Sequence, residues 1–99
     1  MPNLDMREAV AERVRKLRQL DIEAVKLLPP ESQEHLSSLG NVTVTEYHEA
    51  METGEHRVVV QAIRPRWLGI STAIEVDGFV IAGDGTKRPL VDREKWPFL

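Results

Sequence analysis

The chain contains no cysteine, which removes disulfides, thiolate metal sites and thiol nucleophiles together. Aromatic residues amount to 5%, with a single Tyr, so any core has to be built from aliphatic side chains. No apolar run approaches the roughly 18–20 residues of a membrane span. The opening stretch MPNLDMREAVAERVRKL is charged throughout and lacks the apolar centre of a secretory signal. Lys and Arg occur only in small clusters, which counts against nucleic acid as a partner. Repeats, linkers and low-complexity segments are missing too. These absences predict a cytoplasmic protein that neither enters a membrane nor needs a cofactor.

What is present describes one domain. Over 99 residues, 41% hydrophobic and 29% charged side chains are the balance of an ordinary globular protein. The net charge of −3 is unevenly spread. Residues 1–20 carry a net +2, residues 21–56 a net −7, and residues 57–99 a net +2. A solvated acidic edge accounts for the middle segment, and steering of a basic partner is the sharper alternative.

Residues 1–40 read as helical, 41–91 as an antiparallel sheet and 92–99 as a C-terminal turn. Met6, Val10, Val14, Leu17 and Leu20 recur at three- and four-residue steps, the stripe of an amphipathic helix. Asn3 or Asp5 is placed to cap its start. Arg13, Arg15, Lys16 and Arg18 crowd its later half, where cations suit the helix dipole. Asp21 caps a second short helix, and Pro30 opens another helical turn leading to Leu36 and Leu39, with Gly40 as its stop.

From Asn41 the period drops to two. Strands are expected from Val42 to about Met51, from His56 to Arg64, from Trp67 to Val76, from Phe79 to Ala82 and from Lys87 to Val91. Thr53-Gly54, Arg64-Pro65-Arg66-Trp67, Asp77-Gly78 and Gly83-Asp84-Gly85-Thr86 are the connecting turns. These turns pair Val44 with Ile63, Ile63 with Leu68, Val76 with Phe79 and Phe79 with Leu90. One face then gathers Val42, Val44, Val59, Ile63, Leu68, Ile70, Ile74, Val76, Phe79, Ile81 and Leu90. The fold class that results is α+β: N-terminal helices packed on one face of a five-stranded antiparallel meander, with a short C-terminal helical turn carrying Trp96 and Phe98.

The other face is the functional clue. Tyr47, Trp67, Gly69, Ser71 and Ala73 would lie there among Val58, Val60, Ala62 and Val80, too apolar to be fully wetted. Either the C-terminal turn covers it, or it is an interface. Arg64 and Arg66 beside Trp67 form a loop able to grip a carboxylate, a phosphate or a base. The preferred function is therefore a non-catalytic module that binds a protein partner or its own copy through this small-residue face and an edge strand. The candidate binding residues are Tyr47, Arg64, Arg66, Trp67, Gly69, Ser71 and Ala73. An anionic small ligand at the loop from Arg64 to Trp67 is the alternative, and single-stranded nucleic acid is a weaker third.

No catalytic or metal-binding set is assigned. His48-Glu49-Ala50-Met51-Glu52 resembles a zinc helix motif, but Glu52 stands where the second histidine belongs, and the segment reads as a strand. Ser32, Ser37, Ser38 and Ser71 have no acid and histidine arranged around them in sequence. Gly83-Asp84-Gly85-Thr86 lacks the lysine of a phosphate loop. The balance is against an enzyme.

Overall fold

A computed structural model describes residues 2–36, 41–65 and 72–99, with side chains of residues 2–5, 65 and 72 left aside. Helix α1 (Pro2–Arg18) and the short α2 (Ile22–Lys26) lead into five strands, β1 (Glu31–Leu36), β2 (Val42–Ala50), β3 (His56–Pro65), β4 (Thr72–Ile81) and β5 (Lys87–Pro89). Helix α3 (Asp92–Lys95) and a 3-10 turn (Trp96–Phe98) close the chain. The strands form one antiparallel sheet in sequence order, so the α+β meander expected above is the fold.

Helix α1 behaves as its periodicity dictates. Met6, Val10, Val14 and Leu17 are all buried, against β3 and β4. The helix starts at Pro2, so Asn3 and Asp5 lie within it rather than capping it. In α2 the Asp21 carboxylate accepts the Ala24 N–H at 2.8 Å, and Val25 is fully buried.

The sheet is assembled from different pieces than the turn signals imply. Asp77-Gly78 is no turn: Asp77 faces Val60 and Gly78 faces Val59 in the middle of β4. A two-residue hairpin of that type needs positive φ at both central residues, and neither has it. Continuing straight lets all ten residues of β4 pair with β3. The residues expected in two strands thus make one, and the fifth strand comes from 31–36, expected to be helical. That segment, ESQEHL, forms the polar outer strand β1, exposed everywhere but at Leu36. With both faces wet it has no apolar alternation to betray it. Leu39 and Gly40 lie outside the described residues.

Two loops set the register. Met51 and Glu55 close the first, with Gly54 N–H bonded to the Met51 carbonyl and φ of +89° at Gly54. Ala82 and Thr86 close the second, with Gly85 N–H on the Ala82 carbonyl and φ of +92° at Gly85. Each is a three-residue loop ending on a left-handed glycine. Each therefore differs by one residue from the expected turn, and a one-residue slip turns a strand over. Val44 faces Ala62 instead of Ile63, and Phe79 faces Pro89 instead of Leu90.

The core divides accordingly. Under α1 lie Val42, Val44, Val58, Val60, Ala62, Phe79 and Ile81. Across the sheet, Val59, Val80 and Leu90 form a smaller cluster with Tyr47, Met51, Val76 and Phe98. Val59, Val76 and Leu90, expected under the helix, are therefore on the opposite side. Ile63 and Ile74 face each other in register and are only half-buried. Leu68 and Ile70 lie outside the described residues.

Candidate functional site

The sequence-derived binding residues fall on both faces of the sheet. Arg64 and Ala73 face each other across β3 and β4 on the side of α1, where Ala73 packs against the main core. Tyr47 is on the other side, its hydroxyl donating to Gln61 Oε1 at 3.2 Å and its ring 4.8 Å from that of Phe98. Gln61 in turn donates to the Phe98 carbonyl. The C-terminal turn thus covers Tyr47 and Val59, while Trp96 is left 70% exposed rather than folded inward. Arg66, Trp67, Gly69 and Ser71 lie outside the described residues.

Beneath that turn, Glu94 is almost fully buried. Both terminal nitrogens of the Arg88 guanidinium, Nη1 and Nη2, donate to its carboxylate, at 2.9 and 3.2 Å, and Val91 N–H adds a third bond at 3.0 Å. Hydrogen bonding from Arg88 is the main reason that its pKa falls to about 2, against burial, which acts the other way. Arg57 stands 4.0 Å away and also reaches Glu49. This network fastens the C-terminal strap to the sheet.

The two strand histidines meet in a way that spacing alone does not reveal. His48 Nδ1 is 3.0 Å from the Leu28 carbonyl and so donates to it, which leaves Nε2 facing His56 Nδ1 at 2.8 Å. Ring centres are 5.0 Å apart, further than the facing nitrogens by about two ring radii, so the rings meet end to end. The lone pairs point at each other rather than converging on a third point, the geometry of a shared proton and not of a chelate. Burial first, then His48 and Lys26, lowers the His56 pKa. Among the described residues no group of three or more His, Asp or Glu is placed to hold a metal.

Strand β4 supplies the feature that the sequence reading missed. Strand β5 pairs only with residues 79–81, so no described strand flanks the outer side of residues 72–78. Helix α1 runs beside this open edge in the same direction. Arg7 lies 3.9 Å from Glu75, and the Arg18 guanidinium sits 6.0 Å over the Phe79 ring. Between helix and edge is an open cleft of about 230 Å³ lined by Arg7, Val10, Ala11, Glu75, Val76, Asp77 and Lys95. It is followed by a broader depression holding Arg15 and Arg18. Arg13, from the same basic cluster, turns the other way, to Glu46 at 2.6 Å and to Glu34.

The sequence holds a trace of this cleft. Arg7, Ala11, Arg15 and Arg18 recur at helical steps on one flank of α1. Which strand edge that flank would accompany depends on reading through Asp77-Gly78, where local turn chemistry points the wrong way. Strand 42–50, expected to be an edge, is interior because β1 pairs with it. Compared with protein families, curated proteins and solved structures, the chain matches none. Among the described residues no helix is long and apolar enough to cross a membrane.

Proposed function

We propose that this is a non-catalytic interaction module that takes an extended segment of a protein partner onto the open edge of β4. One observation carries the reading: residues 72–78, seven of the ten in β4, have no described neighbour on the outer side, and a helix runs alongside. Unpaired strand N–H and C=O groups are a template for an added strand, and a flanking helix supplies side-chain contacts that choose the guest. Ile74 and Val76, half-buried on the face away from α1, offer that guest apolar contact. The opposite edge is less inviting. β1 is exposed and carries Glu31 and Glu34, charges that discourage edge pairing. A cytoplasmic setting, suited to a cysteine-free chain, belongs to the same proposal.

Amide shifts of the labelled protein, recorded while adding the ten-residue peptides acetyl-(Val-Glu)5-amide and acetyl-(Val-Lys)5-amide, test it. Shifts centred on residues 72–78 with either peptide are expected. Unmoved amides there with both peptides sink the reading.

A further inference from the structure

We infer that the guest is an acidic strand, one that alternates Asp or Glu with apolar residues and turns its carboxylates toward α1; this rests on the edge-binding reading above. Successive side chains of an added strand point to opposite faces, so every second residue of the guest would face the helix. There the cleft and its continuation present Arg7, Arg15, Arg18 and Lys95, and the carboxylates among the described residues that line them are Glu75 and Asp77. Those two carboxylates already have cations within reach, Arg7 and Lys95, each at 3.9 Å. The 3.1 Å pair of Arg15 with Glu12 is exposed on both sides, and Arg7 is exposed although Glu75 and Lys95 are half-buried, so these long or solvent-screened contacts compete only weakly with a guest carboxylate.

The cations are also strung out along the strand. Arg7 stands at Glu75, Lys95 at Asp77 and Arg18 at Phe79, so they follow about 13 Å of β4 from the middle of the open edge to its end. That spacing suits a strand bearing more than one carboxylate better than a single anion. A second copy of this chain fits poorly. Joining two β4 edges about a two-fold axis would set two α1 helices side by side, each bringing the same arginines.

The peptide pair used above discriminates, with salt as a second axis. Acetyl-(Val-Glu)5-amide is expected to bind at residues 72–78 at least tenfold more tightly than the lysine peptide, and more weakly as salt rises. The double variant Arg7→Glu, Arg15→Glu, at two exposed helix positions, should reverse the preference; circular dichroism checks its fold. Equal binding of both peptides by the unaltered protein overturns the acidic-guest inference and leaves edge binding standing. Absence of shifts at 72–78 overturns both. A dimer in sedimentation whose formation moves those amides would make the guest a second copy, and would overturn the inference as well.

Discussion

Gly78 is set by its surroundings, not by a turn. An ideal Cβ there would lie 2.1 Å from the Val58 carbonyl oxygen and 3.0 Å from Leu90 Cδ1. The leucine can move; the backbone oxygen cannot without parting β3 from β4. Gly78→Ala is therefore expected to cost about 3 kcal/mol, the upper end of overpacking effects, and adding Leu90→Ala should not restore it. Urea midpoints measure both, and an unchanged midpoint for the single variant would contradict the close approach.

Two titratable groups make the same demand, since both are held without a proton in the folded chain. His56 is held below its ordinary value of 6.5, so the unfolded chain takes up the proton first as the pH falls. More protons on the unfolded side means that stability declines below about pH 6.5. One proton can bridge His48 and His56, but a second leaves two N–H groups facing and breaks the bond. Glu94 adds a lower window. With a folded pKa of about 2 against 4.5, its contribution is complete above pH 4.5 and lost between 4.5 and 2. Because Arg88 is partly exposed, that contribution is about 2 kcal/mol rather than the full linkage value. Thermal melts should show two descents on acidification. His56→Gln should remove the first and Glu94→Gln the second.

At the scale of elements, the two left-handed glycines decide which residues become core. Each ends a three-residue loop, and each loop fixes the face shown by the strand beyond it. Removing Thr53 would leave Glu52-Gly54 as a two-residue connection inside the same Met51–Glu55 pair, so Val58, Val60 and Ala62 keep their places under α1. The expected result is a thermal transition that stays cooperative but falls in midpoint, since the cost is confined to the loop. Loss of the cooperative transition would show that the register does not survive the deletion.

The same loops explain what could be read from the sequence. The buried stripe of helix α1 was legible because Met6, Val10, Val14 and Leu17 recur at helical steps, whereas its start was not, since Asn3 and Asp5 lie inside it. The β-region was legible from Val-Thr alternation and valine-rich runs. Its register was not: both loops have three residues, where Thr53-Gly54 suggests two and Gly83-Asp84-Gly85-Thr86 suggests four. β1 was hidden for lack of a buried face, and Asp77-Gly78 was misread because its glycine answers to a neighbouring strand. Of the binding residues named from sequence, Tyr47 is separated by the sheet from Arg64 and Ala73. The cleft beside β4 joins residues more than fifty positions apart, which no local pattern encodes.

Across the whole molecule, a helix covers one face of the sheet and a short strap the other. The strap is the thinner cover: Phe98 on Tyr47, Leu90 over Gly78, and Glu94 held by Arg88. Deleting residues 96–99 strips Tyr47 and takes the Phe98 carbonyl from Gln61, but leaves the helix-side core intact. A loss of about 2–4 kcal/mol is expected, the burial of one large aromatic plus one hydrogen bond. Guanidinium melts would measure it. Full unfolding on truncation would mean that the two faces do not stabilise the sheet separately.

The slot above Gly78 also bears on the order of assembly. Its floor is the line where β3 and β4 meet, so Leu90 has no place to settle until those two strands have paired. The last ten residues should then dock late, with variants at Leu90 or Phe98 hastening unfolding while leaving the folding rate nearly unchanged. A single absent methyl group thereby separates the steps of folding in time, the long hairpin first and the strap after it.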